Sequence, residues 1–253
     1  MTTSFSPPSL AAHADLNLAL QSQGFAVLAA PDLARASGCD IAQLMAFKPF
    51  WSDLPPDTYL KDGGRYRRRR HSCFVVNSGD IDTPVKLVPH RPHWQPVEYN
   101  ALHGGMQRWF EPMLPTMVVH PAWQQLLRWL ARLSSARTQA QPWFVEAHQF
   151  RIDTTDGIGR PTPEGAHRDG VDFVAVFMVD RINIKGGETR VFDAAGPSGQ
   201  RFTLTESWSV LLLDDARVIH ESTPIQPVTE GQVGWRDTLV VTLRRGGFQG
   251  ELV

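Results

Sequence analysis

Cysteine is nearly absent: Cys39 and Cys73 are the only two in 253 residues. Two thiols exclude a disulfide-dense scaffold and a tetrathiolate zinc site. No apolar run reaches the roughly 20 residues a membrane-crossing helix needs. The opening stretch, MTTSFSPPSLAAHADLNLAL, lacks the basic start and apolar core of a secretory signal. An excess of either charge is missing too, with 25 Lys and Arg against 26 Asp and Glu and a net charge of −1. Such balance provides no overall field to gather nucleic acid or an anionic membrane. The expectation is a cytoplasmic globular enzyme domain. A hydrophobic content of 42% supplies a sizeable core, and the length suits one domain over 1–253 without demanding a second.

The chain has two textures. Over 1–143, apolar spacing predicts helices at Ala11–Gln23, stopped by Gly24, and at Asp32–Phe47, Ala101–Phe110 and Ala122–Ser135. A short strand, Phe25–Leu28, lies among them, and residues 1–9, with Pro7 and Pro8, read as a loose end. Leu126, Leu127, Leu130 and Leu133 make a core stripe, with Trp109, Trp123 and Trp129 read as packing in the same layer. From Trp143 onward the pattern changes to short strands: Phe144–Ile152, Phe173–Val179, Phe202–Leu204, Ser209–Leu213, Val218–His220 and Thr238–Arg244. Gly186-Gly187 marks a tight turn among them. No strand–helix alternation points to a parallel sheet. The expected fold is mainly β with flanking helices, an α+β protein whose 144–245 core is a sandwich or jelly roll, with the helices of 1–143 packed outside it.

One segment departs from the overall neutrality: Gly63-Gly-Arg-Tyr-Arg-Arg-Arg-Arg70. Phosphate binding is one reading, but the run is short and no aromatic platform accompanies it. In a strand these side chains alternate between faces. Arg67 or Arg69 facing inward could then grip a carboxylate with its planar fork.

The stretch Pro163–Gly170, PEGAHRDG, holds His167 and Asp169 two residues apart, on one face if the backbone is extended. Imidazole plus carboxylate is two thirds of the two-His-one-carboxylate set of non-haem Fe(II) oxygenases. His220, after the apolar run Val210–Leu213 and the turn signal Asp214-Asp215, is the candidate third ligand. Three ligands on one face of an octahedral ion leave three positions open for a chelator and dioxygen. The pair His90 and His93 is separated by Pro92 and has no nearby Cys, which argues against zinc.

The order H-x-D, GGET turn, distal His, then Arg before the last strand resembles the 2-oxoglutarate/Fe(II)-dependent dioxygenases on a double-stranded β-helix. VEAHQFRI, PEGAHRDGVDF, RINIKGGETRVFD, DDARVIHESTPI and WRDTLVVTLRR are similar to a bacterial branch that includes L-isoleucine dioxygenase, as are DTYLKDGGRYRRRR and YNALHGGMQRWFEPM. The similarity spans about Phe25 to Arg245. It implies Fe(II) on His167, Asp169 and His220, with 2-oxoglutarate as cosubstrate and O2 as oxidant. It further implies that Arg236 takes the far carboxylate of 2-oxoglutarate, with Thr242 adding a hydroxyl and Arg244 as competitor; a surface pairing of Arg236 with Asp237 is the alternative. The implied substrate is a small free molecule, an aliphatic or sulfur-containing L-amino acid, with no nucleic acid or membrane partner. Arg67, Arg69 or Arg151 would clamp its carboxylate, and Phe74, Phe150 and Phe173 are candidates for its apolar part. Spacing alone does not decide whether His148/Phe150 or Gln149/Arg151 faces the interior; we take Gln149 and Arg151 as polar contacts and Glu146 as a supporting carboxylate. The rival readings are a cupin-like metalloenzyme that uses no keto acid and a non-catalytic ligand-binding barrel.

Overall fold

Gly24 turns the chain where the sequence places a stop. At φ 79° it ends α1 (Leu16–Gln23), donating its N–H to the Leu20 carbonyl, and the chain enters β1 (Phe25–Leu28). The computed structural model describes residues 15–77, 84–138 and 142–250; the expected loose end and the start of the first helix at Ala11 lie outside them. The helix expected over 32–47 is two. α2 (Ala30–Ser37) stops at Gly38, φ 70°, and Asp40 caps α3 (Ile41–Met45) by accepting the Ala42 N–H at 2.8 Å. The helix expected over 101–110 does not form. Gly104 and Gly105 sit in its middle, each worth roughly 1 kcal/mol against a helix, and turns replace it. Trp109, on this segment, is half exposed rather than in the core. After α4 (Pro115–Val118), α5 (Pro121–Ser135) forms as expected and buries Trp123, Leu126, Leu127, Trp129 and Leu130, with Leu133 partly covered.

The strands are β2 (Arg67–Asn77), β3 (Lys86–Leu87), β4 (Pro142–Asp153), β5 (Phe173–Ile182), β6 (Ile184–Gly186), β7 (Thr189–Asp193), β8 (Gly199–Phe202), β9 (Val210–Asp214), β10 (Val218–Ser222), β11 (Ile225–Pro227) and β12 (Trp235–Arg244). They pair antiparallel into a seven-stranded sheet, β1-β9-β5-β12-β4-β2-β3, a three-stranded sheet, β10-β7-β8, and a ribbon of β11 and β6. This is the expected jelly roll with helices on one outer face.

The period of two in the strands decides what each face meets. Phe74, Val76, Val145, Ala147, Ala175, Phe177, Leu239, Val241 and Leu243 point to the helices and join their core. The neighbouring residues point to the smaller sheet. At the β1–β9–β5 end these are apolar: Val27, Val174, Met178, Leu211 and Leu213 meet Val191, Leu204 and Val218. Toward β12, β4 and β2 that face turns polar, and a cavity opens there.

The turn after β6 closes the barrel beside this polar region. Gly186 and Gly187 have φ 81° and 68°, and Gly187 lies near the Arg236 side chain. A Cβ on Gly186 would run into the Pro224 carbonyl. Gly186→Ala is therefore expected to destabilise the protein by at least about 1 kcal/mol, the cost of a left-handed backbone at a residue with a Cβ. The urea midpoint should fall measurably below that of the unaltered protein.

Candidate active site

The polar end of the barrel holds a cavity of about 120 Å³. His167 reaches it without a strand of its own. It forms an isolated antiparallel bridge with His220, N–H to carbonyl in both directions at 3.0 and 2.9 Å. The strand expected around His167 and Asp169 is thus one bridge followed by a turn. The result is nonetheless convergent: potential ligand atoms of His167, Asp169 and His220 lie within 4.8 Å of one another. His220 Nε2 stands 3.7 Å from Asp169 Oδ2, and the two imidazole centroids are 4.7 Å apart.

Asp215 holds the turn. Its Oδ1 accepts the Asp169 N–H at 3.0 Å, and its Oδ2 accepts those of Gly170 and Val171 at 2.8 and 3.1 Å. Gln249 adds a side-chain bond to the Asp169 carbonyl at 3.0 Å.

The trio fits a divalent ion. His167 Nδ1 is 2.9 Å from the Gly165 carbonyl, an acceptor that fixes the proton there and leaves the Nε2 lone pair free. Burial and the positive charge of His167 keep His220 neutral, as a ligand must be. Burial pushes Asp169 up to about 7, opposed by His167 and reinforced by Asp215 and Glu164. His167 is raised by Asp169 and Glu164 against the effect of its own burial. The site attracts a positive charge, which a metal supplies better than a proton.

Arg236 is buried at the same cavity, its Nε has no partner, and no carboxylate pairs with it among the described residues. Burial, with Arg181 nearby, lowers it to about 10. A buried guanidinium without an acid calls for an anionic ligand. The alternative pairing with Asp237 does not occur: Arg151 takes that carboxylate in a bidentate pair at 2.8 and 2.6 Å. Thr242 also lines the cavity, whereas Arg244 donates to the Gly247 carbonyl and does not.

Along β2 and β4 the alternation sorts the remaining candidates. Arg67 and Arg69 face the cavity; Arg68 and Arg70 reach the Leu54 and Pro112 carbonyls instead. On β4 the inward set is Glu146, His148 and Phe150. Gln149 and Arg151, expected to touch the ligands, have the opposite parity: Gln149 donates to the Phe50 carbonyl and Arg151 is held by Asp237. Of the three phenylalanines only Phe150 lines the cavity; Phe74 and Phe173 face the helices.

Several cavity residues escaped sequence reasoning. Arg108, Gln95, Asn100 and His103 come from the irregular segment before α4, where the helical spacing read over 101–110 forms no helix. Gln95 Oε1 accepts from Arg108 at 3.0 Å and from Asn100 at 3.1 Å, while its Nε2 is 3.4 Å from Asp169 Oδ1. His93 is no partner of His90. It donates to Glu146, as does His71, both at 2.8 Å; His90 bonds the Phe110 carbonyl.

Because Asp215 gathers three backbone N–H groups beside one ligand, Asp215→Ala is expected to lower affinity for Mn(II) by roughly tenfold, the lower range for removing a support of a metal ligand. Calorimetric titration of both proteins measures this, and equal affinities would mean that the turn is held without Asp215.

A model of the 2OG-Fe dioxygenase family matches residues 48–242. Among solved structures, a bsmA homologue from Methylobium petroleophilum PM1 is 50% identical, with TM-score 0.91 over 99% of this chain and 100% of that one. IDO from Bacillus thuringiensis, 18% identical, shares the fold with TM-score 0.72 over 92% of this chain and 98% of its own. The Fe(II)/(alpha)ketoglutarate-dependent dioxygenase TqaL, 19% identical, does so with TM-score 0.71 over 95% and 89%. No curated protein matches the chain. With the family model covering most of its length and the trio and the unpaired arginine facing one cavity, the chain belongs to the 2OG-Fe dioxygenases, enzymes that work with Fe(II), 2-oxoglutarate and O2.

Proposed function

We propose that His167, Asp169 and His220 hold the iron, that Arg236 receives the far carboxylate of 2-oxoglutarate, and that the substrate is a small free L-amino acid with an aliphatic or sulfur-containing side chain. The observation that carries the substrate reading is a cluster of arginines on the cavity wall besides Arg236. Arg67, Arg69 and Arg108, each no more than 5% exposed, line a space of only about 120 Å³. Clefts for larger ligands run to roughly 300–1,000 Å³. A basic wall in so small a space suits a compact carboxylate better than a nucleic-acid strand.

When bound, iron and 2-oxoglutarate supply oxygen activation coupled to decarboxylation of the keto acid. The chain's own residues orient and exclude. Arg236 offers a buried fork whose charge-assisted bonds fix one end of the cosubstrate. Thr242 lies six residues further along the same strand, about 20 Å on at roughly 3.3 Å per residue, and so lines the cavity away from the carboxylate that Arg236 receives. Arg67 is fastened to Asp57 at 2.7 Å and keeps Nη2 unpartnered. Despite its burial, Asp57 is held below the usual carboxylate range by Arg69 and Arg67. Phe150, Val171, Val176 and Val240 provide apolar wall for a side chain and keep water from it. A cupin-like enzyme without a keto acid would have no use for an unpaired Arg236.

His220→Ala is expected to abolish both metal binding and 2-oxoglutarate consumption; full turnover in that variant would overturn the ligand assignment. Arg236→Ala should raise the KM for 2-oxoglutarate about 10- to 150-fold, the worth of a charge-assisted pair of roughly 1.5–3 kcal/mol, while changing the substrate KM far less. The substrate class is tested by incubating the enzyme with free amino acids and with peptides of the same residues, and following a gain of one oxygen by mass. Oxidation of peptides alone, or of nucleic acid, would refute it.

A further inference from the structure

A second cluster stands on the cavity wall. Potential ligand atoms of His71, His93, Glu146 and His148 all lie within 4.8 Å of one another. Three imidazoles and a carboxylate are a donor set for zinc or a first-row metal. The hydrogen bonds argue against one. Arg69 donates to His148 Nδ1 at 2.7 Å. Burial works against the Arg69 charge, yet a guanidinium keeps its proton and has no lone pair to offer. Asp57 at 3.7 Å and the faces of Phe110 and Phe150, 3.8 and 4.4 Å from its Cζ, stabilise it. His148 Nδ1 is therefore the acceptor, and the proton of the neutral ring sits on Nε2, 4.0 Å from Glu146 Oε2. That nitrogen has no lone pair for a metal. His71 Nδ1, where a ligating histidine needs an acceptor, has no partner. His71 and His93 also approach Glu146 Oε2 to 2.8 Å, whereas atoms around tetrahedral zinc stand roughly 3.3 Å apart at ordinary bond lengths.

The cluster stabilises a carboxylate instead. Burial lowers all three histidines, His93 to about 4, so they act as neutral N–H groups. Burial opposes ionisation of Glu146, but His93 and His71 hold it well below the usual range. Both bonds go to Oε2, and Glu146 lines the cavity, which leaves Oε1 to whatever enters. On the same wall three guanidiniums, Arg67, Arg69 and Arg108, stand near three carboxylates, Asp57, Glu146 and Glu164. Among the described residues Arg108 makes one side-chain bond, to neutral Gln95, and its Nε has no partner.

We propose that this wall is a two-pole subsite for a zwitterion: Glu146 Oε1 receives the substrate ammonium, and Arg108 receives the carboxylate. The proposal rests on the amino-acid reading above and adds which residue holds each end. Gln95 spans from Arg108 to Asp169, so the two poles and the metal trio share one continuous wall. An amino acid gripped by both ends leaves its side chain to Phe150, Val176 and Val240. A molecule lacking either pole leaves a buried charge unanswered, the strongest form of discrimination a site can make.

The test measures binding by calorimetry to protein loaded with Mn(II) and 2-oxoglutarate without oxygen. The probes are L-leucine, L-isoleucine and L-methionine and the matching acids without the amino group. The unaltered protein should bind at least one amino acid in preference to its desamino partner. Glu146→Gln is expected to weaken that amino acid about 10- to 150-fold and to leave the desamino acid bound at least as tightly as before. Arg108→Gln should weaken both alike. Glu146→Asp keeps the charge the imidazoles need and guards against misfolding of the Gln variant; its shorter reach should also penalise the amino acid selectively. Equal losses for both ligands in the Glu146 variants would overturn the ammonium assignment while leaving the amino-acid reading intact. Binding of desamino acids but of no amino acid in the unaltered protein would instead refute the amino-acid reading. A second metal per chain, lost in Glu146→Gln, would restore the metal alternative and overturn the proposal.

Discussion

The two-residue period of β2, β4 and β12 is the constraint from which the rest follows. These adjacent strands carry apolar side chains toward the helices and charged ones toward the smaller sheet, so the barrel encloses guanidiniums and carboxylates that most interiors reject. Taking an ion out of water costs several kcal/mol unless partners replace the solvent. Asp57, the imidazoles around Glu146, and the aromatic rings flanking Arg69 are those partners. Their work is incomplete in a telling way: Arg67 Nη2, Arg69 Nε, Arg108 Nε and Arg236 Nε are buried without hydrogen bonds. These four nitrogens are enclosed by protein among the described residues, and the rest of each guanidinium is what the cavity offers an occupant.

Alternation also explains how far the sequence could be read. It offered Arg67 or Arg69 as the inward candidate, and the two share a parity and both line the cavity. On β4 the same logic offered two sets and no means of choosing, since both contain polar groups. Burial of Gln149 against the 3-10 turn Lys48–Trp51 settles it, and that neighbour is remote in sequence. His167, Asp169 and His220 were legible as residue types, but the one-bridge geometry that joins them was not. Gly104 and Gly105 were signals available in plain view against a helix over 101–110, outweighed by the apolar spacing around them.

Arg108, Gln95 and His93 were out of reach for a different reason. They lie in irregular backbone held by tertiary bonds: His93 and Arg108 exchange both main-chain hydrogen bonds at 2.9 and 3.0 Å. No local period encodes such a pairing. Glu146 was visible only as a matter of parity. Its burial among three imidazoles depends on β2, β4 and the irregular segment arriving together.

The bridge between His167 and His220, with Asp215 capping the turn at Asp169, has a consequence for how the molecule is made. One segment brings two members of the trio and another brings the third together with the cap, and neither segment can set the geometry alone. Local hairpins form early because their loops are short; this meeting waits for a distant closure. A chain still emerging from the ribosome, with the turn at Asp214-Asp215 unmade, presents two loose side chains rather than a preformed metal seat. Assembly of the trio thus reports that the barrel has closed.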